Sequence, residues 1–139
     1  MKPITLLLLR LSTGIYLVLW GVVKLAATDM ANSVSDRYYS GVISGEVINL
    51  GLGSLQVLVG ILVIIGFARS ISYVAQLLWY LAGIIPIMGY IIDPFGRYLV
   101  DTAKLTFFPS TTLLFASLIM IAFRDYDTLS IDAKRQKSN

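Results

Sequence analysis

Residues 46–67 read EVINLGLGSLQVLVGILVIIGF, and after Glu46 no charged side chain interrupts them. A bilayer's hydrocarbon core is about 30 Å thick, so a helix rising about 1.5 Å per residue needs roughly 20 apolar residues to cross it. The stretch has that length. Wound as an α-helix it sets Gly45, Asn49, Gly53, Gln56, Gly60 and Phe67 on one face, while leucine, isoleucine and valine fill the rest. Gly41 and Gly45 extend the small-residue face upstream as a G-x-x-x-G.

Three further segments follow the same logic. Residues 4–27 are interrupted only by Arg10 and Lys24, and residues 72–92 carry no internal charge. Residues 105–123 contain Pro109, which costs little if it occupies the first helical turn, where its missing N–H has no partner to lose. The first segment begins like a secretory leader, but its apolar run continues past Trp20 and outlasts a leader's apolar region. It is read as a retained helix. The connections are a polar loop over residues 28–44, a tight turn over 68–71, and residues 93–104, which open on the turn signal Asp93-Pro94-Phe95-Gly96. Residues 124–139 end in Lys134-Arg135-Gln136-Lys137 and read as a solvated tail.

Composition agrees with this reading. Hydrophobic residues make up 57% of the 139, charged residues 14%, and mean hydropathy is +0.79. A soluble domain averages about 45–50% apolar and about 25% charged. The expected fold class is all-α, an integral membrane four-helix bundle forming a single domain over residues 1–139. Cysteine and histidine are absent. This excludes disulfides, Cys/His zinc sites, cysteine-held iron–sulfur clusters and histidine-ligated haem. With the N-terminus inside, Lys2, Arg69, Arg124, Lys134, Arg135 and Lys137 share one side, against Arg37, Arg97 and Lys104 on the other. That bias places both termini in the cytoplasm. The net charge of +3 then meets anionic lipid and calls for no nucleic acid.

Each of the first three helices carries a polar or small-residue stripe. Arg10, Gly14, Leu17, Gly21 and Lys24 share a face of the first, and Gln76, Tyr80, Gly83, Ile87 and Tyr90 a face of the third, where Pro86 introduces a kink. Small residues and inter-helix hydrogen bonds drive association in lipid. Two readings are open: close packing with mutually satisfied amides, or an intramembrane pocket for a quinone, a lipid or a partner's helix. Arg10, Lys24, Asn49, Gln56, Gln76 and Tyr80 are the candidate pocket residues. Arg10 and Lys24 lie near helix ends and read as snorkelling or paired, with Glu46 or Asp29 as counter-charge for Lys24. Arg69 reads as an orientation anchor. No catalytic or metal-binding set is expected: Asp93, Asp101, Asp125 and Asp127 belong to different loops or opposite sides, and no nucleophile or phosphate-loop motif occurs.

The run Leu8-Leu9-Arg10-Leu11, then Gly14, Gly21 and Lys24, then Gly53, Gln56, Gly60-Ile61-Leu62, Gly66 and Arg69, resembles the DoxX-like family of small four-helix membrane proteins. The resemblance covers residues 6–69. Gln56 stands where family members often carry a glutamate. The family implies a four-helix bundle with cytoplasmic termini and a link to redox complexes, including thiosulfate:quinone oxidoreductases. The expected function is a non-catalytic accessory or scaffold subunit of a larger membrane complex, joined to other integral subunits or to itself through the glycine faces of helices one and two. A quinone-interacting oxidoreductase subunit, with a quinone as its cofactor, and a small transporter or channel acting as an oligomer are the alternatives.

Overall fold

The computed structural model describes residues 1–93 and 109–138, and these are helical wherever they are regular. Helix α1 spans Lys2–Ala26, α2 Thr28–Tyr38, α3 Glu46–Ile65 and α4 Arg69–Ile84. A short 3-10 stretch, Ile85–Ile87, leads into α5, Met88–Ile92. Helix α6 covers Pro109–Ala122 and α7 Ile131–Ser138, with a 3-10 turn at Arg124–Tyr126 between them. Three stretches are long and apolar enough to cross a membrane: Lys2–Ala26, Glu46–Ile65 and Arg69–Ile92. Helix α6 is apolar but has 14 residues, about 21 Å of rise. Pro109 opens it, as its missing N–H predicts. Residues 105–108, the expected start of that segment, lie outside the described residues, as does the expected turn at 94–96.

Helices α1 and α3 run antiparallel and form the densest contact in the molecule. Glycine determines how close they come. A Cβ on Gly14 would meet Ile64 at 2.7 Å and the Gly60 carbonyl at 3.0 Å. One on Gly21 would meet Val57 at 2.6 Å and the Gly53 carbonyl at 2.9 Å. Gly53 and Gly60 return the same contacts to Gly21 and Gly14. Two glycines seven residues apart on each helix thus lie opposite two on the other, backbone to backbone. Such an approach also suits weak Cα–H···O contacts. The glycine faces of the first two long helices are therefore occupied by each other within the chain. Helix α4 lies against α3 and α6, and Leu17, Val59, Val63, Tyr73, Tyr80 and Met120 form the buried apolar centre.

The polar stripes face inward. Arg10, Thr13, Gly14, Leu17 and Gly21 are buried on α1, Asn49, Gly53, Gln56 and Gly60 on α3, and Gln76 and Tyr80 on α4. Phe67, expected on the inner face of the second segment, lies past the helix end and is 37% exposed. Pro86 ends the α-helical ladder of α4 in the 3-10 stretch, because its ring cannot donate to the carbonyl four residues back.

Two connections differ from the sequence reading. Residues 28–44 are not wholly loop: α2 occupies most of them, with Asp29 in its first turn, Arg37 in its last, and Ala31 and Ser35 buried. Low hydropathy hid a short helix whose end charges suit its dipole. Residues 124–138 are not wholly a solvated tail: Lys134, Arg135 and Gln136 are exposed as expected, but the segment before them is docked. It folds back under the helix ends, burying Asp127, Ser130 and Ala133.

Overpacking a tight contact costs about 1–3 kcal/mol. Gly60→Val is expected to lower stability by that amount in a detergent unfolding titration. A methyl added at Gly51 would meet nothing within 4 Å, so Gly51→Ala should leave stability unchanged or raise it by about 0.5–1 kcal/mol through helix propensity.

Candidate functional site

The six candidate residues do not converge on one pocket. They separate into three groups along the bundle.

The first is an ionic cluster at the end where α1 starts and α3 stops. Helix α3 terminates on Gly66, whose φ of +68° is left-handed and closes the helix as a glycine cap does. A Cβ there would strike Arg10 Nη1 at 2.5 Å and Ser130 at 2.5 Å, so glycine serves both the turn and the passage of Arg10. The Arg10 guanidinium donates to Asp127 through Nη1, at 2.9 Å to Oδ2 and 3.1 Å to Oδ1, and through Nη2 to the Leu129 carbonyl at 3.3 Å. Tyr73 donates its hydroxyl to Asp127 Oδ2 at 2.5 Å. Arg10 and Asp127 are each 2% exposed, so Arg10 is paired inside the protein and does not snorkel. Such a pair withstands the cost of desolvation best when its remaining lone pairs and protons are engaged; Tyr73 and Leu129 engage part of them, while Arg10 Nε is buried without a partner among the described residues.

Arg69 and Asp132 extend the cluster. Arg69 Nη1 donates to the carbonyls of Arg124 at 2.8 Å and Asp127 at 3.0 Å. Asp132, from α7, accepts from the backbone N–H groups of Ala68 at 3.1 Å and Arg69 at 2.8 Å. Helix α4 lacks a side-chain cap of its own, and a carboxylate at its amino end satisfies orphan donors and the dipole together. Arg69 thus clamps the C-terminal segment to the turn. Its reading as an orientation anchor stated only its charge.

The second group sits mid-bundle. Gln76 Nε2 donates to Ser117 Oγ at 2.8 Å, Ser117 donates to the Leu113 carbonyl at 2.9 Å, and Tyr80 donates to the Thr13 carbonyl at 2.7 Å. These bonds tie α4 to α6 and to α1. Gln76 Oε1 is buried with no partner among the described residues.

The third group lies at the opposite end. Lys24 donates to Gln56 Oε1 at 2.7 Å and stands 5.9 Å from the Trp20 ring. Glu46 and Asp29 are not its partners: the ion pairs among the described residues are Arg10–Asp127 and Arg69–Asp132. Both carboxylates sit at helix starts, Glu46 in the first turn of α3 and Asp29 in that of α2. Asn49 donates to Asn32 Oδ1 at 2.7 Å, which also accepts from the Gly45 N–H at 3.0 Å, so α2 is laced to the start of α3. Tyr39 donates to the Gly83 carbonyl at 3.2 Å. Burial pushes its phenol above the ordinary value, with Tyr16 adding to the shift, which keeps the proton available for that bond.

The arrangement can hold helices in register, and no group of carboxylates that could hold a metal occurs among the described residues. Asp127 and Asp132 are the important side chains that sequence reasoning missed. One signal pointed to them: Arg10 and Arg69 needed counter-charges at the end where the acidic residues after α6 emerge.

Removing one partner of a buried ion pair typically costs about 3–5 kcal/mol, whereas apolar replacement of the whole set is often neutral. Asp127→Asn should therefore destabilise strongly in thermal unfolding and open residues 124–138 to proteolysis. The combination Arg10→Met, Tyr73→Phe, Asp127→Leu should restore most of the loss. Asp132→Ala is expected to cost about 1 kcal/mol, as loss of a helix cap does.

Comparison with protein-family models, curated proteins and solved structures finds no match for this chain.

Proposed function

We propose that this chain is a multi-pass protein of the cell membrane, a four-helix bundle with both termini cytoplasmic. In this reading it serves as a non-catalytic accessory or scaffold subunit of a larger, redox-linked membrane complex. One observation carries the subunit reading: the buried charged and amide side chains each make at least one bond that joins one helix or segment of the chain to another. Arg10 is engaged by Asp127, Arg69 by backbone carbonyls, Asn49 by Asn32 and Gln76 by Ser117. Ionisable groups inside a membrane segment are costly and call for a partner or a function, and a structural partner is present for Arg10 and Arg69.

The remaining features support the same reading. Leu8, Leu19, Leu50, Leu58, Leu78 and Ile119 are exposed on the outer faces of α1, α3, α4 and α6, where acyl chains or a neighbouring subunit's helices would meet them. The end holding Arg10 also carries Lys2, Arg69, Arg124, Lys134 and Arg135, the bias expected of a cytoplasmic face. Helix α6, with 14 residues, is shorter than the bilayer core, a mismatch that local thinning accommodates. The DoxX-like resemblance supplies the redox association. With the glycine faces occupied within the chain, partner subunits would meet the outer apolar faces.

A quinone-interacting subunit is favoured by a separate observation. A cleft of about 340 Å³ lies between Tyr16 on α1 and Pro109, Ser110, Thr112 and Leu113 on α6. Tyr16, Ser110 and Thr112 offer hydroxyls to a quinone carbonyl in otherwise apolar surroundings.

The chain contains no cysteine, so single-cysteine labelling reads topology without background. Ser138→Cys should label only from the cytoplasmic side and Ser40→Cys only from the opposite side; labelling of both from one side defeats the orientation. In mild-detergent extracts of native membrane the protein should co-migrate with larger partners on native gels. Migration only as a free small protein defeats the subunit reading. Saturable binding of a quinone analogue to the purified chain, weakened by Tyr16→Phe with Thr112→Val, would favour the second reading instead.

A further inference from the structure

At the end of the bundle that carries the ionic cluster, a groove of about 260 Å³ opens between the first turns of α1 and the exit from α6. Its walls are Met1, Lys2, Thr5, Leu6, Phe123 and Tyr126. Phe123 is 45% exposed and Tyr126 49% exposed, with ring centroids 6.1 Å apart. The floor and sides are apolar, and the cation is at the rim. Lys2 Nζ lies 4.3 Å from the centroid of the Tyr126 ring, held by attraction to the π face. It makes no ion pair with a carboxylate among the described residues. The charge around it is one-sided. Asp127 and Asp132 pair with Arg10 and Arg69, which leaves Lys2, Arg124, Lys134 and Arg135 against Asp125.

We infer that this groove binds one anionic phospholipid, its phosphate beside Lys2 and an acyl chain against Leu6, Phe123 and Tyr126. The inference rests on the membrane placement proposed above. The chemistry of the two ends decides the occupant. An apolar peptide would leave the Lys2 ammonium without a counter-ion, and a free phosphate would leave the apolar walls exposed. An anionic lipid satisfies both, and the cytoplasmic leaflet supplies it. Tyr126 serves twice, its ring holding the ammonium and lining the groove. Arg124 does not compete for the site: its guanidinium donates to Ser70 Oγ at 2.8 Å.

The test uses the full chain in mild detergent, incubated with equal amounts of phosphatidylglycerol and phosphatidylcholine and weighed by native mass spectrometry. The parent should retain one phosphatidylglycerol in preference. Lys2→Gln should lower that preference about fivefold, the size expected for one cation near a membrane surface. Thr5→Phe fills the groove and leaves the charge in place, so it should lower retention of both lipids. Lys134→Gln should change nothing. Circular dichroism matching the parent shows that each variant is folded. Equal retention of the two lipids by the parent overturns the inference. So does an unchanged preference in Lys2→Gln, or an equal loss in Lys134→Gln, which would mark diffuse attraction. Glycerol phosphate competing as well as the lipid also overturns it, since the acyl chain would then be idle. Release of the protein from membranes by carbonate would defeat the membrane placement itself, a result separate from all of these.

Discussion

Backbone meets backbone along α1 and α3, and the rest of the molecule is arranged around that contact. Lipid gives two apolar helices no hydrophobic reason to associate, so the approach must be favourable by dispersion and by backbone polarity. Gly14 and Gly21 lie against Gly60 and Gly53, each within about one van der Waals contact of the opposite carbonyl. Arg10 lies on the same face of α1 as Gly14 and Gly21 and is buried with them. Its side chain is led along the seam to Gly66, another residue without a Cβ, and emerges where Asp127 waits.

That delivery makes the cationic side chain a structural bolt. The guanidinium joins the first helix to a segment more than a hundred positions away in the chain, and Tyr73 brings in α4 through the same carboxylate. Arg69 fixes the segment again through two carbonyls. Buried pairs of this kind are poor sources of net stability but costly to break. Their effect is to make one arrangement of helix ends much better than its neighbours. The opposite end has no ion pair among the described residues: Lys24 bonds the Gln56 amide, and Asn32, Asn49 and Tyr39 tie α2 and the segment after it to α3 and α4. Polarity along the bundle thus divides into an ionic end and an amide end.

The long helices were legible because length and hydropathy are summed over many residues, and the inward faces because glycines and amides recur at helical spacing on α1, α3 and α4. The shared seven-residue spacing of Gly14 and Gly21 with Gly53 and Gly60 allows the two faces to meet, and the structure pairs them antiparallel. Helix α2 was not legible, because its docking depends on Asn32 meeting Asn49, a contact with no periodic signature. The partner of Lys24 was misread for a related reason. A shared position at the outer boundary favoured Glu46 or Asp29, but facing helix positions favoured Gln56. Asp127 and Asp132 were hidden by their setting: a short, charged, low-hydropathy stretch reads as solvated, and only its return beneath the helix ends reveals what it binds.

The borrowed cap on α4 also sets an order of events during synthesis. The amino end of that helix is finished by a carboxylate that follows it by some sixty positions. While the ribosome is still making α6, the hairpin of α3 and α4 has an open corner, and Arg10 has no anion. Both are settled in the same moment, when residues 127–132 clear the exit tunnel and swing under the helices. The α4 cap and the Arg10 pair therefore both wait on residues synthesised after every long helix, so late-made carboxylates close the first helix.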